Sequence, residues 1–150
     1  MHQTVSARTS RNNAKGRIVI AAPGQDGRNG GAKVIATALR EVGYEVVCAG
    51  LDQPPDEIVA AVIAEDASIL GMCIPSGVHM KLVARVIESL AQKGASDTAV
   101  VAWGLIPAED AFALEILGAR RAFVRGTTTE EILDAIDHLN AIYGSVFRAP

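Results

Sequence analysis

The chain has 150 residues, of which 49% are hydrophobic and only 4% aromatic, and its formal net charge is −3. This length suits one domain with a core of aliphatic side chains. The acidic balance argues against nucleic-acid binding or a polybasic membrane-surface role, and the longest apolar runs have only strand length, so no membrane span is expected.

The first 16 residues are polar and lack the apolar middle region of a signal peptide. We therefore expect a cytoplasmic protein with a disordered tail at 1–16, a folded domain at 17–143 and a second tail at 144–150. Cys48 and Cys73 are the only cysteines. Without secretion, both are expected to be free, buried thiols. The His and Cys spacings do not suit zinc, so no metal ligand is predicted.

Short apolar runs alternate along the chain with amphipathic segments. These runs predict five strands, at 17–22, 44–48, 68–73, 98–103 and 122–124. They are apolar throughout rather than alternating, which is typical of strands that are buried on both faces.

Each predicted strand is followed by a predicted helix. The first has apolar residues at helical spacing, Val34 and Val42 among them, and ends at Gly43. The second starts at 54–55 with two prolines, and the last has Thr128 or Thr129 as its N-cap. The other helices are expected at 79–93 and 109–117, and the first and last span 32–42 and 128–142.

This order of elements predicts an α/β fold. Strands that are joined by helices form a parallel sheet with right-handed crossovers and helices on both faces. We expect a flavodoxin-like, five-stranded parallel sheet.

In such a sheet, ligands bind beyond the carboxyl ends of the strands, near the switch in strand order. The loops at 23–31, 74–78, 104–108 and 125–127 should meet at this edge. The first is rich in glycine, which permits close backbone approach to a ligand. It matches neither the dinucleotide motif nor the phosphate loop. From loop chemistry alone, a ligand site and a flexible turn with a helix cap both remain open.

The segment 23–36 (PGQDGRNGGAKVIA) resembles the cobalamin-binding domain of acyl-CoA mutases, methylmalonyl-CoA mutase and its small-subunit relatives above all. The resemblance runs from about 17 to 136. It includes 43–46 (GYEV), 53–57 (QPPDE), Gly71, His79 and 103–107 (WGLIP). It implies the same five-stranded parallel sheet.

Members of this family usually carry Asp-x-His-x-x-Gly in the first loop, and the histidine is the lower ligand of cobalt. Here the motif falls on Asp26 and Gly31, with Gly27 and Asn29 between them, and Arg28 stands at the histidine position. A guanidinium has no free lone pair, so Arg28 cannot ligate cobalt. Arg28 could instead meet an anionic group or remain solvated, and Asp26 could pair with it or cap the next helix.

Two further motifs depart from the family. Its Ser-x-Leu motif, which lines the tunnel for the nucleotide tail of the cofactor, falls on Cys73, Ile74 and Pro75. Its Gly-Gly motif, past which the tail runs, falls on Trp103 and Gly104. An indole would fill much of the space that a glycine leaves open. Trp103 is expected to be a packing residue, with a stacking platform for a ring as the alternative.

The resemblance implies a cofactor-binding set and no catalytic residue. The set is Asp26, Gly27, Arg28, Asn29, Gly31, Cys73, Pro75, Ser76, Trp103, Gly104, Gly126 and Thr127.

The leading hypothesis is the cobalamin-binding small subunit of an acyl-CoA mutase-like isomerase that works with a separate barrel subunit for the substrate. Adenosylcobalamin is the implied cofactor, and its base could stay on the cobalt. The alternatives are a degenerate structural or regulatory partner that has lost cobalamin, and a module for another small anionic ligand. A homodimer is compatible with the helix faces.

Overall fold

The computed structural model describes residues 15–22, 30–50, 54–74 and 79–144. Its strands are β1 (Arg17–Ala22), β2 (Glu45–Gly50), β3 (Ile69–Ile74), β4 (Ala99–Gly104) and β5 (Arg121–Ala122). Its α-helices are α1 (Gly30–Glu41), α2 (Pro55–Ala64), α3 (His79–Gln92), α4 (Ala108–Leu117) and α5 (Thr129–Leu139), and a π-helical turn at Asn140–Gly144 follows.

The strands form one parallel sheet in the order β2-β1-β3-β4-β5. This order confirms the predicted flavodoxin-like fold. The chain moves outward from β1 to β2 and then crosses back to β3 on the other side of β1. The switch in strand order therefore lies between β1 and β3.

The core has one layer on each face of the sheet. The α1 and α5 helices cover one face, where Ile35, Leu39 and Ile136 pack against the strands. The other three helices cover the opposite face through residues such as Ile58, Val86 and Leu114. All six residues of β1 are buried, as expected for a central strand with helices on both sides.

Several predicted details need correction. β5 has two residues rather than three, and α5 ends at Leu139 because the helix widens into the π-helical turn. Val34 and Val42 were expected on the buried side of α1, but they are 53% and 43% exposed. Val34 lies on the outer side of the helix, and Val42 lies in the turn beyond its end.

The predicted helix ends have clear local causes. Gly43 has a φ of +110°, which favours glycine and ends α1. Thr128 caps α5: its hydroxyl accepts a hydrogen bond from the Glu131 N–H, and the Glu131 carboxylate accepts one from the Thr128 N–H. This reciprocal capping box confirms Thr128 rather than Thr129 as the N-cap.

The amino edge of the sheet holds a buried charge cluster that the sequence did not predict. The Arg17 side chain is 6% exposed, and its guanidinium donates hydrogen bonds to the carboxylates of Glu45 and Glu65. Nearby, the Tyr44 hydroxyl donates a hydrogen bond to Asp137. These contacts join β1, β2, α2 and α5 at the edge opposite the predicted site.

Candidate functional site

The described part of the carboxyl edge consists of the ends of β3, β4 and β5, the turn after β5 and the first turn of α1. Among the predicted site residues it includes Cys73, Trp103, Gly104, Gly126 and Thr127. Gly31 lies in the first turn of α1. The other predicted site residues lie outside the described residues; they are Asp26, Gly27, Arg28, Asn29, Pro75 and Ser76.

Cys73 and Trp103 are direct partners across the β3–β4 ladder. Cys73 is partly buried, and its sulfur accepts a hydrogen bond from the Ala32 N–H in the first turn of α1. Burial raises the pKa of this thiol, although the Ala32 N–H and the Trp103 indole act in the opposite direction. The thiol is therefore protonated near neutral pH, which suits a packing residue rather than a nucleophile. Both cysteines are free as predicted, but Cys48 is exposed rather than buried.

The Trp103 indole lies against the backbone of Gly71, in the layer between the sheet and helices α1 and α5. Trp103 is only 4% exposed. A Cβ built on Gly71 would come within 2.7 Å of Cζ3 and 2.8 Å of Cη2 of the indole. The absence of a side chain at Gly71 therefore makes room for the ring. Trp103 packs as expected rather than offering an exposed stacking platform.

The indole Nε1–H is buried and has no hydrogen-bond partner of good geometry among the described residues. It lies beside the Cys73 thiol, whose sulfur is a weak acceptor. A tryptophan that is held mainly by apolar packing fills space at the cost of a poorly satisfied N–H. The resemblance implies that the nucleotide tail of the cofactor passes at this position. In the described structure, the Trp103 indole occupies this space.

Gly104 has a structural reason to be glycine. Its φ is +127°, and a Cβ there would lie 2.2 Å from the Ile74 carbonyl oxygen. The same oxygen accepts a hydrogen bond of 3.2 Å from the Leu105 N–H. Gly104 therefore keeps the ends of β3 and β4 joined while the chain turns toward α4. This requirement exists without any ligand.

The turn after β5 leaves space at the described part of the edge. Gly126 has a φ of +93°, and a Cβ there would meet no atom of the described residues within 4 Å. The Thr127 hydroxyl donates a 2.7 Å hydrogen bond to the Val124 carbonyl, and the Arg125 N–H donates a 3.0 Å bond to the Ile106 carbonyl. The turn is thus fixed to the loop after β4, and the described residues leave space around Gly126.

The described ranges contain neither a metal-ligating cluster nor a membrane-spanning helix. No group of three or more His, Cys, Asp and Glu side chains there could hold a metal ion. No helix among the described residues has the length and apolar character to cross a membrane. The edge has the form of a ligand-binding edge of an open α/β sheet, built from backbone and small polar groups.

Comparison with known proteins identifies the class. Residues 16–134 match the family model of the B12 binding domain. The match covers most of the chain, so the chain belongs to the B12-binding domain family. This confirms the resemblance drawn from the glycine-rich loop.

Two relatives show how the domain is used elsewhere. The chain is 38% identical over 129 residues to the 2-hydroxyisobutanoyl-CoA mutase small subunit of Aquincola tertiaricarbonis, covering 86% of this chain and 95% of that protein. It is 36% identical over 127 residues to methylmalonyl-CoA mutase of Rhizobium meliloti, covering 85% of this chain but 17% of that protein. The chain therefore spans nearly all of a small subunit and about a sixth of a larger mutase.

Solved structures share the fold. A cobalamin-binding protein from Desulfitobacterium hafniense superposes with a TM-score of 0.69 at 21% identity, over 83% of this chain and 58% of that one. The methanol:cobalamin methyltransferase complex MtaBC from Methanosarcina barkeri gives a TM-score of 0.66 at 25% identity, over 83% of this chain and 47% of that one. A CheY-like protein from Pseudomonas aeruginosa gives a TM-score of 0.62 at 20% identity, over 82% and 98%.

Proposed function

We propose that this protein is the cobalamin-binding small subunit of an acyl-CoA mutase-like isomerase that rearranges a carbon skeleton. The observation that carries the proposal is the 38% identity over 95% of the length of a mutase small subunit. The same kind of domain makes up about a sixth of the larger mutases. The substrate would bind to a separate large subunit, as the name of the small-subunit relative suggests.

The described carboxyl edge fits a ligand that lies across its top. No described residue fills the space beside Gly126, and the turn at Thr127 is held in place by hydrogen bonds to Val124. Adenosylcobalamin, when bound, supplies a carbon radical through homolysis of its cobalt–carbon bond. The chain would hold and orient it with the loop at 25–31, Cys73, Pro75, Ser76, Gly104, Gly126 and Thr127.

The layer between the sheet and helices α1 and α5 does not fit the nucleotide tail of the cofactor. The Trp103 indole fills the space between Gly71 and the helices α1 and α5. Two of its ring atoms lie less than 3 Å from the position that a Cβ on Gly71 would take. At the position of the usual lower ligand, Arg28 has no lone pair to offer. Both features support one binding mode, in which the cofactor keeps its own base on the cobalt and leaves its tail outside the layer beside Trp103.

A cobalamin-free structural or regulatory partner is the second candidate. The burial of Trp103 favours it too, because the indole fills the space between the sheet and helices α1 and α5 without any ligand. A retained cofactor distinguishes the two. The purified full chain is mixed with adenosylcobalamin, passed over a desalting column and examined for colour.

Trp103 offers an independent readout in that experiment. It is the only tryptophan of the chain, so protein fluorescence reports this position alone. The proposal predicts a coloured protein fraction and quenching of Trp103 fluorescence that saturates with cofactor. A colourless fraction with unchanged fluorescence would favour the cobalamin-free partner.

The partner claim needs a separate assay. The full chain should form a complex with the isolated large subunit of a two-subunit acyl-CoA mutase and restore its cobalamin-dependent turnover. If the chain retains cobalamin but forms no such complex, it would bind the cofactor without being a subunit of such an isomerase.

A further inference from the structure

Helix α1 begins with two glycines and has no acidic side chain in its first turn. Glycine is one of the poorest helix formers, and acidic side chains in a first turn stabilise a helix through its dipole. Helix α5, by contrast, begins with a capping box and carries glutamates at 130 and 131. The residues of its own first turn thus give the start of α1 little stability, and contacts with other elements matter more there.

The first turn of α1 makes such a contact with the sheet through Ala32. The first four N–H groups of an α-helix have no acceptor within the helix. Ala32 is the third residue of α1, and its N–H donates a hydrogen bond to the sulfur of Cys73, near the carboxyl end of β3. Ala32 is buried in the same layer against which Cys73 packs, so water has little access to this N–H. The sulfur therefore acts as the acceptor that joins α1 to β3.

The same sulfur faces a second buried donor. The Trp103 indole N–H lies beside it and has no better acceptor in the part of the chain that the structure describes. Cys73 also pairs with Trp103 across the β3–β4 ladder, so the sulfur lies where β3, β4 and α1 meet. Sulfur is a weak acceptor, but its removal would leave two buried N–H groups unsatisfied. That costs more than a typical hydrogen bond contributes.

The position of Ala32 in the chain connects this contact to the proposed cofactor site. Gly30 and Gly31 are the first two residues of α1 and also the last two of the glycine-rich segment at 25–31. Ala32 follows them directly. A bond at the Ala32 N–H therefore fixes the point at which this segment enters the helix.

We propose that Cys73 is a positioning residue, whose sulfur anchors the first turn of α1 to β3 and so holds the end of the glycine-rich segment in place for the cofactor. Cys73 acts through α1 and not by contact with cobalt or substrate. The anchor belongs to the cofactor-free fold, whereas its effect on cobalamin rests on the proposed function. A segment whose end is already held loses less conformational freedom on binding, so the anchor raises the affinity for the cofactor.

Amide hydrogen exchange of the cofactor-free full chain, measured by NMR, tests the anchor. Cys73→Ser and Cys73→Ala form a matched pair, because they differ by one oxygen atom that can accept a hydrogen bond. Cys48→Ala is the control for the loss of a thiol, since Cys48 is exposed. Cys73→Ala should accelerate exchange of the Ala32 N–H by roughly 3- to 10-fold, as expected for the loss of one hydrogen bond. Cys73→Ser and Cys48→Ala should stay within about 2-fold of the natural sequence.

Titration of the same four proteins with adenosylcobalamin, followed by Trp103 fluorescence, tests the effect on the cofactor. Cys73→Ala should raise the dissociation constant by roughly 3- to 10-fold, because the first turn of α1 must then be ordered at the expense of binding. Recovery in Cys73→Ser would show that the acceptor matters and not the size of the side chain. Cys48→Ala should bind the cofactor as the natural sequence does.

The two measurements separate the anchor from the proposed function. Equal exchange of the Ala32 N–H in Cys73→Ala and in the natural sequence would overturn the anchor, and so would a Cys73→Ser variant as impaired as Cys73→Ala. An unchanged dissociation constant in Cys73→Ala would overturn the positioning role for the cofactor. If the natural sequence binds no cobalamin, the proposed function fails together with that role, whereas the exchange rates still show whether Cys73 anchors α1.

Discussion

Replacement of Gly71 by alanine tests the packing of Trp103 directly. In a strand without a steric conflict, alanine is as good as glycine or better, because glycine loses more backbone entropy on folding. Here the new Cβ would meet Cζ3 and Cη2 of the indole at 2.7 and 2.8 Å. The ring is 96% buried and held between two helices and the sheet, so it cannot move freely. We expect Gly71→Ala to lower the free energy of unfolding by about 1–3 kcal/mol, the usual cost of overpacking.

The second step is a double-mutant cycle with Trp103→Ala. Trp103→Ala alone should cost about 3–5 kcal/mol, the range for a buried large aromatic residue. In that background the added methyl group meets empty space, and Gly71→Ala should become neutral or slightly stabilising. The coupling between the two positions should therefore be about 1–3 kcal/mol in the compensating direction.

Urea unfolding followed by far-UV circular dichroism measures all four proteins of the cycle. In the two that keep Trp103, its fluorescence reports the same transition. If Gly71→Ala is as stable as the natural sequence, or if its cost is unchanged without Trp103, then the indole does not lie on Gly71. Trp103 would then not fill the space between β3 and the helices α1 and α5.

The remaining predictions concern stability at the amino edge and along α5. Arg17→Ala leaves the carboxylates of Glu45 and Glu65 without their cation. It should lower the free energy of unfolding in urea by about 2–4 kcal/mol, less than for a fully buried pair, because both carboxylates are partly exposed. An unchanged urea midpoint would show that this ion cluster does not stabilise the fold. The free energy of unfolding should also fall at alkaline pH. Burial raises the pKa of Cys73, and burial followed by the hydrogen bond to Asp137 raises the pKa of Tyr44. Both groups then stay protonated in the folded state while the unfolded chain loses protons above the ordinary pKa values of 9.0 and 10.0. These two groups should therefore leave the free energy of unfolding unchanged below these pH values and lower it above them. Tyr44→Phe should make this alkaline decline shallower. A free energy of unfolding that does not fall at alkaline pH would contradict the raised pKa values of Tyr44 and Cys73. Thr128→Ala removes the capping box and should cost about 1 kcal/mol, whereas Thr129→Ala, one residue later, should cost clearly less.

The sequence predicted the strands and helices well because the two kinds of element leave different periodicities. Buried parallel strands read as continuous apolar runs such as 17–22, and helices show a spacing of three to four. The sequence predicted the ends of these strands and helices less accurately. The 98–103 strand was expected to stop at Trp103, but Gly104 pairs with Ile74 and belongs to β4.

The contacts that shape the site were harder to predict, because they join distant parts of the chain. The meeting of Trp103 with Gly71 depends on the register that pairs Cys73 with Trp103, which no local pattern fixes. The Arg17 cluster likewise joins residues that are 28 and 48 positions apart. By contrast, the sequence alone indicates Trp103 as a space-filling residue, because it stands at a glycine position of the family's Gly-Gly motif.

The absorption spectrum of the full chain loaded with adenosylcobalamin tests the central proposal most directly. We expect a retained cofactor with the spectrum of the base-on form, because Arg28 supplies no ligand and Trp103 fills the space between the sheet and helices α1 and α5. Arg28→His alone should remain base-on for the same steric reason. A base-off spectrum from Arg28→His/Trp103→Ala, checked for folding by circular dichroism, would show that the indole was the barrier. A base-off spectrum of the natural sequence, or of Arg28→His with Trp103 intact, would contradict the account.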